Sequence, residues 1–228
     1  MDKILRDLFS FQDIEYKNFN AKLIPTVDKD LIIGVRTPDL RNYAKILFKE
    51  DEKRTFEFLN NTPHKYYEEN NLHGCLIEQI KDFDLAMEYT EKFIPFIDNW
   101  ATCDLFSPKV FKRYPNETYK YILDWIKDEK TYVIRYGIGL LLSNYLDENF
   151  KDEHLKIVSK VRSEEYYVNM AKAWLLSVCY VKYREETYKF LEKTKLDAWT
   201  VNKSIQKIRE SLRVTKEEKE KILVLKRK

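Results

Sequence analysis

The chain has 228 residues, enough to bury a substantial core as one large domain, and a single domain over residues 1–228 is expected. With 44% hydrophobic and 35% charged residues and a net charge of +3, it has the make-up of a water-soluble protein, and no apolar run approaches the ~20 residues that span a bilayer. Four glycines and six prolines leave little material for the turns of a many-stranded sheet, so an all-α fold is expected.

The opening segment MDKILRDLFSFQD mixes acids and bases and lacks a long apolar core, which argues against a secretory signal and for a cytoplasmic location. Cys75, Cys103 and Cys179 are odd in number and widely spaced, and His64, His73 and His154 form no ligand cluster. Neither a disulfide framework nor a zinc site is expected, and no metal or organic cofactor is called for. Abundant Lys, Asn, Tyr and Ile are what an AT-rich genome yields, so the 16 tyrosines carry no functional weight at this level.

In chain order, Thr37-Pro38-Asp39 supplies an N-cap candidate, a proline at the first helical position and a first-turn acid, opening a helix through Phe48. Further helices read from about Tyr66 to Lys81, Asp84 to Phe96, Thr102 to Arg113, Glu117 to Lys127 and Thr131 to Leu146. The rest read from about Glu153 to Val161, Glu164 to Val181, Glu185 to Lys193, Ala198 to Leu212 and Lys216 to Leu225, the last with a capping-box pattern at Thr215 and Glu218. About a dozen helices joined by short connections describe antiparallel neighbours packed in series, with two helices per repeat of roughly 40 residues. The expected architecture is an α-solenoid of HEAT-like repeats with one concave face. From Val201 onward ten Lys/Arg stand against four Asp/Glu; this basic tail reads either as a solvated helical face or as an electrostatic footing for phosphates.

Two segments break the helical pattern of one apolar and one polar face, and a third sits where one helix ends and the next begins. YVIRYGIGLLLSNYL (132–146) is apolar nearly all round and holds one charge, Arg135. Such a guanidinium must reach the surface, meet an anion of the protein, or await an anionic ligand. YYVNMAKAWLLSVCYV (166–181) carries Asn169 and Lys172 on one polar stripe, with Trp174 nearby, a core anchor or a ligand contact at the border of the concave face. In DNWATCD (98–104), Asp98 or Asn99 reads as a cap, while Asp104, four residues past Trp100, either answers a helix dipole or acts on a substrate.

GVRTPDLR (34–41), YEENNLHG (67–74), NWATCD (99–104), Arg135 in its apolar helix, MAKAW (170–174) and NKSIQK (202–207) occur in this order and spacing. Together they resemble the AlkD-like DNA alkylation repair proteins, bacterial DNA glycosylases made of HEAT-like repeats, over about Ile32 to Arg213. The resemblance implies that Trp100, Arg135 and Trp174, with Asn169 and Lys172 beside them, form the DNA- and lesion-binding cleft, and that Asp104 is catalytic. It departs from the pattern at Ala101, where relatives often carry an acid, and at Ile134, where they often carry a base.

The implied substrate is duplex DNA with a purine alkylated at N3 or N7. That base is already a good leaving group, so one carboxylate stabilising an oxocarbenium-like sugar suffices. The family acts without extruding the base into a pocket, which implies little sequence preference and strong salt dependence. One duplex needs one such face, so a monomer is expected. The rival reading is a non-catalytic module, either a binder of unusual DNA structures or a protein scaffold, the commoner use of α-solenoids.

Overall fold

The structure, a computed structural model, describes residues 3–147 and 149–228, and every regular element among them is helical. None of these helices is long and apolar enough to cross a membrane. Two compact units divide the chain, Met1–Tyr114 and Pro115–Lys228.

The first unit contains α1 (Lys3–Ser10), α2 (Ile14–Leu23), α3 (Thr37–Glu50), α4 (Glu52–Asn60), α5 (Tyr67–Ile77), α6 (Phe83–Phe93), α7 (Trp100–Leu105) and α8 (Lys109–Arg113). Helices α3, α5 and α7 pack side by side in that order, while α4 and α6 back onto α5 and α8 onto α6. The second contains α9 (Pro115–Trp125), α10 (Thr131–Asn144), α11 (Asp152–Lys160), α12 (Tyr166–Lys182), α13 (Arg184–Lys193), α14 (Ala198–Glu210) and α15 (Lys216–Lys221), closed by a 3-10 turn at Ile222–Leu225. Here α12 lies between α10 and α14, and α9 covers α10, while α13 packs on α11 and α12. Within each unit the helices stack in series as paired layers, the packing of an α-solenoid.

Side-chain caps set many of the boundaries. Asp13, Asp51, Asp82, Asn99 and Asp197 each accept a hydrogen bond from the backbone N–H three residues on, and Thr215 with Glu218 forms the expected capping box. Three expectations shift. Thr37 is the first helical residue and Arg36 occupies the cap position, so Pro38 stands second. The helices α1, α2 and α4 were not read from sequence. Asp51 serves at once as the C-cap of α3 and the N-cap of α4, and no Gly or Pro marks that junction. The helix expected from Thr102 to Arg113 is two, α7 and α8, because Pro108 lacks an N–H and drives Ser107 out of the helical region.

The first unit is organised around α5, whose side chains are buried on almost every face. Its polar residues reach out to neighbouring segments. The buried Glu68 carboxylate accepts from the backbone N–H of Ile33 and Gly34, both at 2.7 Å, and of Val35 at 3.3 Å. Burial pushes its pKa up while these donors pull it down. At the centre of this clasp Gly34 has φ of +100°, and a Cβ there would lie 2.5 Å from the Asp13 carbonyl oxygen. Farther along α5, His73 Nδ1 lies 2.8 Å from His64 Nε2. The two rings stack on Phe93 and Phe58 respectively. Burial pushes the His64 imidazole down to about 4 and His73 well below its ordinary value, so the pair is neutral at physiological pH and forms part of the core.

Replacing Glu68 by Ala would leave three buried donors without their acceptor. A loss of about 3 kcal/mol or more is expected in urea unfolding, with Glu68→Gln retaining part of it; equal stability of Glu68→Ala and wild type would show that the clasp does not organise the unit.

Candidate functional site

In the first unit, the local structure around Trp100 and Asp104 is a six-residue helix pinned at both ends. At its start, Asn99 is buried and its Oδ1 accepts from the Thr102 N–H at 2.8 Å, while its Nδ2 donates to Asp98 Oδ1 at 2.9 Å. Thr102 Oγ1 in turn donates to Asn71 Oδ1 on α5 at 2.8 Å. At its end, Arg41 from α3 donates to the Leu105 carbonyl at 2.6 Å and forms an ion pair with Glu78, and Glu78 accepts from the Ser107 N–H at 2.9 Å. The orphan groups of a helix terminus are thereby satisfied by side chains of neighbouring helices. Along its flank, the half-buried Trp100 donates from Nε1 to the Leu23 carbonyl at 3.1 Å and packs against Ile24, Ile32 and Tyr67.

Asp104 is exposed and is the fifth residue of this helix, one turn beyond Trp100 and on the same face. It thus lies just past the first turn and next to last in the helix. At a helix C-terminus the dipole disfavours a carboxylate, and Asn99 already does the capping.

In the second unit, Arg135 is 6% exposed and donates from Nη1 to the Tyr167 carbonyl at 2.8 Å. The guanidinium thus ties α10 to the first turn of α12. Trp174, on α12, is 37% exposed. Asn169 and Lys172 share one stripe as expected, but they lie beneath the surface at 9% and 2% exposure. Lys172 Nζ donates to Asn169 Oδ1 at 2.9 Å, and Asn169 Nδ2 donates to the Ser163 carbonyl at 3.0 Å, fastening the loop before α12. Burial lowers the Lys172 pKa, and Asp197, the cap of α14, raises it in opposition.

One feature went unread in the sequence. Aromatic rings at the N-terminal ends of α10, α12 and α14 form a continuous row. Tyr132 meets Tyr167 at 5.8 Å between centroids, Tyr167 meets Tyr166 at 5.2 Å, and Tyr166 meets Trp199 at 5.6 Å, with Lys203 Nζ 5.6 Å from the Trp199 ring. Tyr166 and Trp199 are exposed. The signal was the recurrence of Tyr132, Tyr166 and Trp199 at intervals of 34 and 33 residues, masked by discounting tyrosines as a matter of composition. Such faces suit sugars, bases and cations.

The basic tail has a structural use as well. The Arg227 guanidinium donates to the carbonyls of Leu196, Thr194 and Leu191, and Asn202 exchanges two hydrogen bonds with the Arg227 backbone, docking the chain's last turn on α13 and α14.

The two roles inside DNWATCD separate by stability. Asn99→Ala is expected to cost about 1–2 kcal/mol, whereas Asp104→Asn, at an exposed position, is expected to cost less than about 1 kcal/mol. Thermal unfolding of both variants decides it; a large loss in Asp104→Asn would make this acid structural.

A family model described as DNA alkylation repair enzyme matches residues 4–208. A search of curated proteins returns no match.

Proposed function

The chain belongs to the DNA alkylation repair enzyme family, and from that premise we propose that it is a DNA glycosylase that releases purines alkylated at N3 or N7 from duplex DNA, opening base excision repair. The observation that carries the proposal is Asp104: an exposed carboxylate one turn from Trp100, on a helix pinned at both ends, where neither capping nor the helix dipole calls for an acid.

Chemically, alkylation at N3 or N7 leaves the purine positively charged. Heterolysis of the C1′–N9 bond returns the electron pair to the base, which departs neutral without accepting a proton. The positive charge passes to the sugar as an oxocarbenium-like species. A carboxylate beside C1′ lowers the energy of that species and orients a water whose oxygen completes the new bond to C1′, its proton going to solvent. Asp104 takes this role. Trp100 and Trp174 offer their faces to the deoxyribose and backbone, where an electron-rich ring favours a partial cation. Arg135 is assigned to a phosphate beside the lesion, which a guanidinium recognises by charge-assisted hydrogen bonds. Asn169 and Lys172 support this contact from behind by fixing the entry to α12. With no acid at Ala101 and no base at Ile134, affinity rests on fewer charges than the family pattern supplies.

In this reading the chain is a single domain of HEAT-like repeats that acts on one duplex as a monomer. Contacts directed at the backbone would tolerate bulky alkyl groups and read little sequence.

The test is release of free 3-methyladenine and 7-methylguanine from methylated duplex DNA by wild type and by Asp104→Asn. Release by the wild type, with a loss of at least about a hundredfold in the variant and DNA binding retained, is the expected outcome. A folded wild type that binds DNA and releases no base would instead be a reader of DNA structure, and one that binds no DNA a protein scaffold.

A further inference from the structure

On the second unit, α11 and α13 border a groove of about 800 Å³ that the proposed repair chemistry leaves unused. Six cations line it: Lys156, Lys160 and Arg162 on and just after α11, and Lys189, Lys193 and Lys195 on and just after α13. The two trios have the same internal spacing, and each residue of the first is followed 33 residues later by its counterpart in the second. Successive repeats thus place the same charges on facing walls. All six are exposed, and among the described residues only Lys189 has a carboxylate within ion-pair distance, Glu185 at 3.9 Å. Two acids, Asp152 and Glu186, also line the groove. They belong to the opening turns of their helices, where the dipole accounts for them. The dipole likewise accounts for Lys160 and Lys193 in the last turns, but not for the other four.

We propose that this groove is a second nucleic-acid site, which holds the sugar–phosphate backbone of a DNA segment other than the one carrying the lesion. Each wall carries two lysines four residues apart, about 6 Å along the helix, with a third cation beyond the helix end. That is a row of charges suited to consecutive phosphates rather than to one small anion. Leu155 and Phe190 contribute the apolar surface between the walls, against which sugars can rest. Helix α13 packs on α12 and α11 on α13, and neither Arg135 nor Trp174 lines the groove. Binding here is sequence-independent and is released by salt, because its free energy comes from counterions displaced from the phosphates.

Sedimentation of the full chain with a short undamaged duplex at low salt tests the proposal. Wild type should saturate at two duplexes per chain, the weaker one lost on raising the salt. Lys160→Gln combined with Lys193→Gln should saturate at one, and Lys156→Gln with Lys189→Gln should do the same. A control with the same loss of charge in the first unit, Lys53→Gln with Lys92→Gln, should retain both. Saturation of the wild type at one duplex, retention of the second by the groove variants, or its equal loss in the control would each overturn the proposal. Displacement of the second duplex by equimolar mononucleotide would also overturn it, in favour of a small-anion site. Release of methylated bases should be unchanged in the groove variants. Absence of release from the wild type would refute the glycosylase reading and leave this stoichiometry standing.

Discussion

A six-residue helix has no stability of its own in water, because nucleating the first turn costs more than so few hydrogen bonds return. The segment Trp100–Leu105 is nevertheless helical, and it is so because its surroundings hold it: Asn99 and Asn71 at the front, the Arg41–Glu78 pair at the back, and the Leu23 carbonyl through the Trp100 indole. These anchors come from the end of α2, from α3, from α5 and its cap, and from the cap of the short helix itself. Close packing adds to them, since Gly74 of α5 lies so near Phe106 that a Cβ there would meet the ring at 2.9 Å. This short helix presents Trp100 and Asp104 with little freedom to move, which is what stabilising a transient charge requires.

The sequence segments that carry the family resemblance divide accordingly into those that would act and those that hold. Arg41 closes GVRTPDLR, and Asn71 and Gly74 lie in YEENNLHG; both segments meet NWATCD at α7. In the second unit Lys172 fastens α12 through Asn169, and Asn202, from NKSIQK, docks the chain's end. Much of what marks the family is therefore a frame of buried or partly buried polar contacts, costly to leave half-satisfied. A smaller set is exposed: Asp104, Trp174, Tyr166 and Trp199.

Composition and periodicity revealed the all-helical architecture because few turn residues and repeated amphipathic segments leave no other economical fold. They failed at the α3–α4 junction, where one aspartate ends one helix and begins the next without punctuation, and between α7 and α8, where Pro108 mattered more than the surrounding helical pattern. Arg135 stood out as one charge in an apolar helix, yet nothing local indicates that it meets the carbonyl of Tyr167, 32 residues away. Lys172 looked like a surface residue because spacing reveals a stripe and not its depth. The position of Asp104 was hidden for a related reason: only the observed end of α7 shows that the acid stands beside the C-terminal end of its helix.

In the proposed reaction the charge of the alkylated base does the work of a general acid, leaving one carboxylate to stabilise the sugar. The most direct test is single-turnover release, by the wild type, of cationic 7-methylguanine and of neutral hypoxanthine from otherwise identical duplexes. The cationic base should leave at least about a hundredfold faster, the least that a missing general acid would cost the neutral one. Comparable rates would contradict this reaction, because a neutral base departs readily only when the enzyme supplies the proton.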